Sequence, residues 1–403
     1  MDQDRARGVL DGIRVADFSR VLAGPYATMM LADFGADVVK IESPGGDDTR
    51  SWTPPVDAAG ASTYFASVNR NKRSVVCDLT TDEGRRTARR LATTADVVVE
   101  NFRPGVMERF GLDEPALRPV NPRLVYCSIT GFGRDAGAEL PGYDLLVQAV
   151  GGLMSITGAP AGEPSKAGVA VVDVLTGLNA LSGILLALRE RDRTGRGCRV
   201  DVDLLGSLLA ALTNQASSTL ATGVSPARLG NAHPSIAPYE VFPAADRELV
   251  VAVGTDRQFG AFVQLLGLEG LASDERFATN EARVRNRAAL RPLLEAALRA
   301  RPAATWADLC TRARVPAGLV NSVGEAFDFA RSLGGDPVVT TTDADTGRTS
   351  VQPATPIHLD GAPARHRTVP PLLGEHEPHW LDEHADATSR RDATAPAPTE
   401  GTP

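Results

Sequence analysis

The chain has 403 residues, of which 43% are hydrophobic and 23% charged, and its formal net charge is −8. This length suggests two or three domains of ordinary soluble composition, and the negative charge argues against a nucleic-acid partner, which needs a basic face. We expect no membrane partner, because no apolar run reaches the ~18 residues of a membrane helix, and the N-terminal residues do not resemble a secretory signal. Four widely spaced cysteines form no metal-ligand pattern, so we expect a reduced, cytoplasmic protein without a bound metal.

Short apolar strands alternate with amphipathic helices over the first two hundred residues. Strands are predicted at 13–18, 36–42, 96–100 and 124–129, a further one after residue 73, and helices at 24–34 and 82–92. This alternation predicts an α/β protein with a mostly parallel sheet covered on both faces. Ligands of such folds bind in loops beyond the C-terminal ends of the strands. In this chain those loops hold residues 19–24, 43–50, 101–105 and 130–143.

The second half of the chain changes character. A long apolar helical pattern runs from Leu175 to about Leu212, and residues 222–238 have the composition of a linker. A strand at 248–253 and helices at 257–266, 280–301 and 304–313 follow, and then two strands joined by Asp345-Thr-Gly347, a hairpin signal. We therefore predict a large domain over 1–215, a linker and small α+β domain over 216–330, a return to the large domain over 331–385, and a disordered tail over 386–403.

The usual signatures of hydrolases and nucleotide-binding proteins are absent from the sequence. It contains no GxSxG, no GxGxxG and no GxxxxGK[ST] motif. Five of the six histidines lie after residue 357, which leaves only His233 near the linker. The strand–helix pattern alone therefore leaves the ligand open.

Asp173 stands at a predicted junction between a short strand and a helix, within Val169-Ala-Val-Val-Asp-Val-Leu-Thr-Gly177. A carboxylate in this place is typical of a helix N-cap. The alternative is a nucleophile, because a carboxylate with an ordinary pKa of ~3.9 needs no partner base. Its attack on a thioester is productive where backbone N–H groups stabilise the oxyanion.

Basic residues cluster at 69–73 and around Gly105, which lies between Arg103 and Arg109. Solvent-exposed surface is the ordinary interpretation of both clusters. The alternative is contact with phosphate groups, to which arginine offers a fork of donors and lysine a point charge.

Seven segments of the sequence, in a fixed order, carry a resemblance to a known family. They are Asp17–Tyr26, Phe34–Glu42, Asn71–Ser74, Val99–Gly105, Pro141–Gln148, the Asp173 segment and Pro370–His376. With these segments the chain, from about Leu10 to Leu381, resembles the class III CoA-transferases, also called the carnitine dehydratase/bile-acid-inducible family. Each segment is a weak signal alone, but together they favour the nucleophile over the cap for Asp173.

The resemblance implies a fold, an assembly and a mechanism. The fold is a large Rossmann-like domain plus a smaller one, and two chains interlock as a homodimer. The substrates are an acyl-CoA and a small carboxylic acid, with no permanently bound cofactor. The aspartate that matches Asp173 attacks the thioester to give an anhydride. Coenzyme A converts this anhydride to an aspartyl-CoA thioester. The coenzyme A is then transferred from the aspartyl thioester to the acceptor acid.

The resemblance also implies a set of coenzyme A contacts. Matching positions are Val21, Leu22, Ala23, Asn101, Phe102, Arg103, Arg109 and Tyr143. Among them we expect Arg109 to contact a phosphate or the ribose. Ser43 departs from formyl-CoA transferase, which has an arginine near the nucleotide, so the adenine side stays open. The glycine-rich mobile loop of that enzyme is replaced by Gly230–Ile236, which looks more like the succinyl-CoA–glutarate transferases.

Succinyl-CoA and a dicarboxylic acid are therefore the expected substrates. A basic residue would have to meet the distal carboxylate, and Arg20 or Arg50 is a candidate, as is His233 for the acyl pocket. Each is equally explained as a structural residue.

Two other functions are alternatives to the transferase. A 2-methylacyl-CoA racemase would need a proton-transfer pair, but Tyr143 stands where the family's racemases have histidine, and a phenol with a pKa of ~10 replaces an imidazole poorly. A non-catalytic CoA-binding protein is the third possibility, against which the intact Asp173, Arg109 and Pro141–Gln148 argue.

Overall fold

The computed structural model describes residues 8–58 and 60–381. The tail predicted over 386–403 lies outside these residues. The chain divides into two compact units. The larger one contains the chain up to Gly151, Gly168–Ala216 and the chain from Asp336 onward, and the smaller one contains Gly152–Ala167 and Ser217–Gly335.

Residues 152–167 were predicted within the large domain and belong instead to the small unit. Arg228 explains the difference, because its guanidinium donates to the carbonyls of Ala159 and Gly162. The amide of Gly230 adds a bond to the carbonyl of Gly158. These bonds join the segment to residues that follow it by some seventy positions, a distance that no local pattern reports.

Six parallel strands form the sheet of the large unit. They are β1 (Arg14–Asp17), β2 (Asp37–Glu42), β3 (Lys72–Val76), β4 (Val97–Glu100), β5 (Val125–Thr130) and β6 (Arg199–Asp203). Their order in the sheet is β3-β2-β1-β4-β5-β6, so Val15 of β1 pairs with Val38 on one side and with Val97 on the other. The parallel sheet is confirmed, but β6 has no counterpart among the predicted strands because charged residues alternate along it.

Fifteen α-helices lie in the described chain. They are α1 (Ala23–Asp33), α2 (Thr63–Ala66), α3 (Asp82–Thr94), α4 (Val106–Arg109), α5 (Glu114–Leu117), α6 (Asp144–Val150), α7 (Leu153–Ile156), α8 (Val171–Thr194), α9 (Leu204–Ala211), α10 (Thr213–Thr222), α11 (Asp256–Leu265), α12 (Asn280–Arg285), α13 (Arg287–Leu298), α14 (Ala303–Arg312) and α15 (Val323–Ser332). Thr81, not Asp82, caps α3, because its hydroxyl accepts the amide of Gly84.

The strand predicted before Asp173 is wrong, since α8 already begins at Val171. The N-cap position is Ala170, which places Asp173 at the third position of the first turn. Asp173 is therefore not the cap of this helix. A run of four apolar residues is too short for its period to separate strand from helix.

Helix α8 is long and apolar enough to cross a membrane by length and composition, with a mean hydropathy of 1.9 in its most apolar window. The sequence-based expectation that no segment passes this test is wrong, because the interrupting Gly, Ser, Thr and Asn residues are only mildly polar. The helix contacts α1, α9 and the strands β5 and β6, and core helices of soluble proteins pass the same test.

The small unit is built on an antiparallel sheet of three strands, β7 (Tyr239–Pro243), β8 (Glu248–Ala252) and β9 (Ala317–Leu319). Its core is apolar and includes Phe242, Leu249, Phe262, Leu294 and Trp306. The helix predicted over 280–301 is divided at Asn286 into α12 and α13.

Four short strands complete the described chain, β10 (Val338–Thr342), β11 (Thr349–Pro353), β12 (His358–Leu359) and β13 (Ala362–Pro363). The predicted hairpin is confirmed, because β10 and β11 pair antiparallel with Thr342 opposite Thr349. Gly347 in its turn has a φ of 70°, a value that glycine adopts without strain.

Candidate active site

One pocket of the large unit lies at the point where the strand order reverses, between β1 and β4. The loops that follow these two strands lead away from each other there, which leaves the crevice that ligands of doubly wound sheets occupy. The pocket is open to solvent and has a cavity volume of about 200 Å³. Its walls come from the loops after β1, β4 and β5 and from the first turn of α8.

Gly177 sets the position of Asp173 in this pocket. A Cβ atom at Gly177 would come within 2.6 Å of the carbonyl oxygen of Ala23, so only glycine lets α8 pack this closely on the start of α1. Residues four apart lie on the same helix face. Asp173 therefore lies one turn earlier on that face, beside the N-terminal residues of α1.

A second carboxylate, that of Asp144, caps α8 from outside the helix. Its Oδ2 accepts the amides of Val172 at 2.8 Å and of Asp173 at 3.2 Å. The side-chain amide of Gln148 donates to its Oδ1 at 2.5 Å. Asp144 is thus committed to three hydrogen bonds, while in the described chain no group donates to the carboxylate of Asp173.

The electrostatic setting of Asp173 follows from this arrangement. Burial, and then the neighbouring charge of Asp144, raises the pKa of Asp173 to about 7. Its charge is poorly stabilised because the group is buried and no described residue donates a hydrogen bond to it, so the ionised carboxylate is a better nucleophile than an ordinary aspartate.

The N-terminus of α1 also faces the pocket. Leu22 is its N-cap residue, and no side chain of the described residues caps the helix. The first amides of a helix have no partner within it, and together with the helix dipole they favour negative charge. Leu22 and Ala23 line the pocket together with Asp173, so this helix N-terminus and the carboxylate share one pocket.

The loop between β5 and α6 forms another wall and is closed at its base by two glycines. A Cβ on Gly131 would meet the Cα of Gly142 at 2.5 Å, so the backbones of the two residues are in direct contact. This contact fixes the positions of Tyr143 and Asp144, which follow the loop directly and line the pocket.

The comparisons with known proteins agree with one another. The model of CoA-transferase family III matches residues 10–377. The chain is 45% identical to succinate–glutarate CoA-transferase of Agrobacterium fabrum, over 95% of this chain and 97% of that protein. It is 40% identical to succinyl-CoA:glutarate CoA-transferase of Mus musculus, over 93% of this chain and 86% of that protein. The protein belongs to CoA-transferase family III.

A solved structure supports the same assignment. The crystal structure of a CAIB/BAIF family protein from Brucella suis superimposes with a TM-score of 0.84 at 43% identity, covering 94% of this chain and 99% of that one. The predicted family and fold class are therefore confirmed, and the protein is a CoA-transferase.

The structure brings most of the predicted site residues of this transferase together. Those that line the pocket are Arg20, Val21, Leu22, Ala23, Asn101, Phe102, Arg103, Tyr143 and Asp173. Asn101 joins two of the loops, because its side chain accepts the amide of Arg20 at 2.8 Å and donates to the carbonyl of Arg20 at 2.7 Å. The specific contacts of these residues with coenzyme A stay a prediction.

Arg50, a candidate for the distal carboxylate, does not line the pocket. Its guanidinium binds Glu42 with two hydrogen bonds of 2.8 and 2.6 Å and lies 3.7 Å from the centroid of the Phe65 ring. It also donates to the carbonyl of Pro371. These contacts make Arg50 a structural residue that fastens the segment around Pro371 to the sheet.

Arg109 and His233 are also not among the residues of the pocket wall. Arg109 ends α4 as an exposed side chain near the ring of Phe110 and is not part of the pocket wall. His233 belongs to the small unit, where its Nδ1 accepts the amide of Ser235 and its ring packs near Tyr239.

The basic cluster at 69–73 is neither exposed surface nor a phosphate site. Arg70 is buried against Asp33 at 2.7 Å, and Lys72 is buried against Asp17 at 3.0 Å. Only Arg73 of the three reaches solvent. The sequence shows the positive charges of this segment but not their distant partners.

Sequence reasoning left two further parts of the site unassigned. Asp144 stands inside a quoted motif, Pro141–Gln148, yet its role depends on α8, twenty-eight residues later. Lys40 lies in the buried strand β2. A buried lysine between the apolar residues Val39 and Ile41 of a parallel strand is rare unless it is paired, and that signal is present in the sequence.

Proposed function

We propose that this CoA-transferase moves coenzyme A from succinyl-CoA to a dicarboxylic acid of the glutarate type, with Asp173 as the nucleophile. The observation that carries the proposal is a carboxylate to which no group of the described residues donates a hydrogen bond, in a pocket that also holds the uncapped N-terminus of α1. The names of the relatives from Agrobacterium fabrum and Mus musculus support this choice of substrates.

The reaction proceeds in four displacements at carbonyl carbons. An oxygen of Asp173 attacks the thioester carbon, the C–S bond breaks, and coenzyme A leaves as the thiolate. The thiolate attacks the Asp173 carbonyl of the anhydride and releases succinate. The acceptor carboxylate then attacks this aspartyl-CoA thioester and displaces the thiolate. Finally the thiolate attacks the acyl carbon of the second anhydride and frees Asp173, so that each bond broken is replaced by one of similar energy.

The two helix N-termini have different tasks in this proposal. The amides of α1 stabilise the oxyanion that forms at each displacement. The amides of α8 are occupied by Asp144, which keeps them from neutralising Asp173. Acylation converts Asp173 to a neutral group and removes its repulsion with Asp144, so attack also relieves an unfavourable charge pair.

Arg20 is the cation that we assign to the distal carboxylate of the acceptor. It lines the pocket with 47% of its side chain exposed, and its pairing with Asp48 is loose at 3.6 Å. Its guanidinium lies 4.9 Å from the centroid of the Phe102 ring, which leaves the donors at its edge accessible. We expect Arg20→Ala to raise the KM for glutarate by about tenfold and to leave the KM for butyrate, which lacks the second carboxylate, nearly unchanged.

The decisive experiment compares the wild type with Asp173→Ala. Wild-type protein is assayed for transfer from succinyl-, acetyl- and formyl-CoA to a panel of acids, and hydroxylamine is used to trap acylated Asp173 for mass spectrometry. We expect Asp173→Ala to lose at least about three orders of magnitude in kcat. The matched control is Asp192→Ala, an exposed aspartate of the same helix, which keeps wild-type rates.

Two results would contradict the proposal. Exchange at the wild-type rate in Asp173→Ala would remove the nucleophile. Deuterium incorporation at the α-carbon of the acyl group, without transfer to any acceptor, would favour the racemase.

The homodimer and the cytoplasmic location belong to the same proposal. Several leucines project outward from helices of the large unit, and Leu186 of α8 is 71% exposed. A second copy of the chain would cover such a surface. The four cysteines are thiols, as in a reducing compartment. Sedimentation of the purified protein tests the assembly, and a monomer at micromolar concentration would contradict it.

A further inference from the structure

The turn after β1 is held at four consecutive backbone groups by side chains from β2 and from the loops that follow β2 and β4. Lys40 donates to the carbonyl of Ser19 at 2.8 Å, and Asn101 binds both the amide and the carbonyl of Arg20. The amide of Val21 donates to both carboxylate oxygens of Asp47, at 3.3 and 3.2 Å. The turn is thus fixed from two sides before the chain enters α1.

This turn needs to be held because its conformation is strained. Val21 has a φ of 69°, in the left-handed region that β-branched residues avoid. Strain of this kind persists only where the surroundings overdetermine it, and it concentrates at functional sites. Val21 and its neighbours Arg20 and Leu22 form part of the wall that faces Asp173.

The two residues that hold the ends of the turn form a buried ion pair. Lys40 Nζ lies 2.8 Å from Asp47 Oδ2, and both side chains are 0% exposed. Against the opposing effect of burial, the Lys40 ammonium and the bonds from Thr49 lower the pKa of Asp47 to about 2. The charge of Asp47 in turn raises the pKa of Lys40, although burial works the other way.

Neither Lys40 nor Asp47 forms part of the pocket wall. Any effect on the reaction must therefore pass through the backbone that these side chains hold, chiefly the turn. A buried ion pair contributes little to stability compared with apolar side chains of the same size, which indicates a role in geometry instead. The turn leads directly into Leu22 and Ala23, whose amides are the first of α1.

We propose that Lys40 and Asp47 are positioning residues of the transferase, whose ion pair fixes the turn Ser19–Val21 and thereby aims the first amides of α1 at the thioester oxygen. The inference rests on the proposed function of Asp173. It makes a defined prediction about rates, because misplaced amides weaken binding of the oxyanion directly, whereas the loops after β4 and β5 still line the pocket for the CoA ester. The effect should fall on kcat and spare the KM for the CoA ester.

The test uses Asp47→Asn in the full-length protein, assayed with succinyl-CoA and the best acceptor of the wild type. We expect kcat to fall by about 50-fold, with the KM for succinyl-CoA changed by less than about threefold. The control is Asp33→Asn, which breaks another buried ion pair, with Arg70, in the same unit but outside the pocket wall. It should lower the melting temperature as much and leave kcat within about threefold of the wild type.

A rescue variant separates geometry from stability. Glycine adopts a φ of 69° without strain, so Val21→Gly lets the turn keep its conformation when Asp47 no longer holds it. In the Asp47→Asn background, Val21→Gly should restore kcat by about tenfold. Relief of this strain also favours the folded state, so kcat is compared at a temperature at which every variant is folded, and the melting temperatures are measured beside it.

If Asp47→Asn does not fold, Val21→Pro tests the same inference with the ion pair intact. Proline fixes φ near about −65° and has no N–H to donate, so the turn must change, and kcat should fall as for Asp47→Asn. Wild-type kcat in either variant, or an equal loss in Asp33→Asn, overturns the positioning role. Absence of transfer by the wild type would instead overturn the proposed function.

Discussion

The two units of the protein bury very different side chains. In the described part of the large unit the buried charged residues are Asp17, Asp33, Lys40, Glu42, Asp47, Arg70, Lys72, Glu100 and Arg191. In the small unit they are only Glu240 and Arg283, and the core is packed with leucine, valine and aromatic residues. Burying a charge costs free energy that its partners at best offset.

The buried charges of the large unit are not spread evenly. Asp17, Lys40, Glu42 and Glu100 lie on β1, β2 and β4 near the ends from which the pocket loops leave. They hold those loops, as Glu100 does by accepting the amide of Phe102. The difference between the units teaches that this protein uses apolar packing for stability and buried ion pairs to fix the geometry of its site.

The largest expected effect on stability comes from the small unit. Leu294→Ala removes a fully buried side chain from an apolar core, and we expect a loss of about 2–5 kcal/mol in the free energy of unfolding. Urea unfolding measures this loss, and kcat of the folded protein at 25 °C should stay within about twofold of the wild type. A fall in kcat as large as that expected for Asp47→Asn would contradict the proposed difference between the two units.

The second prediction concerns the two arginines near Gly105. Arg103 lines the pocket, whereas Arg109 does not, so Arg103→Ala should raise the KM for succinyl-CoA by about tenfold with little change in kcat. Arg109→Ala serves as the matched variant and should have a smaller effect. An equal increase in KM for the two variants would show that Arg109 also contacts coenzyme A. The CoA site would then extend beyond the pocket residues named above.

The third prediction is a shift of the pH profile. Transfer needs Asp173 ionised, so kcat/KM should rise as pH increases through about 7, the raised pKa of this group. Asp144→Asn removes the neighbouring charge, lowers the pKa of Asp173 and moves this acid limb to lower pH. Asp192→Asn changes the net charge by the same amount, but Asp192 is exposed and lies further along α8. The acid limb of the pH profile of this variant should therefore stay at the wild-type position. An unmoved limb in Asp144→Asn would assign the raised pKa to burial alone.

The smallest expected effect is on the stability of the nucleophile variant. A carboxyl whose pKa is raised in the folded protein makes folding less favourable as pH rises from its unfolded value of 3.8 to about 7. Asp173→Asn escapes this cost, so its melting temperature should exceed that of the wild type by about 2 °C above pH 7. The difference should shrink as pH falls towards 4. A melting-temperature difference that does not change with pH would instead indicate an effect of side-chain packing.

Elements with a strong local pattern were predictable from the sequence. The strands β2, β4 and β5 and the hairpin β10–β11 carry apolar runs or a turn signal, and the structure has them within a few residues of the predicted bounds. The strand β6 and the start of α8 were not predicted, because the first is charged and the second is capped by Asp144 from another part of the chain.

The candidate site likewise has parts that were predictable from the sequence and parts that were not. Asp173 and the pocket loops were found through the resemblance of whole segments, which carries information that one residue does not. The partners of Asp173, Arg50 and Lys72 remained hidden, because each contact joins residues that lie eight to fifty-five positions apart. Sequence pattern reports which groups need a partner, but only the fold reports which partner they have.

The contact between Gly131 and Gly142 has a consequence for how the site can change over time. The chain enters and leaves the loop at one point, so residues 132–141 can gain, lose or exchange residues without displacing Tyr143 or Asp144. Several of these residues nevertheless line the pocket. Natural or engineered changes in this loop can therefore reshape the pocket entrance for another acid without moving Tyr143 or Asp144.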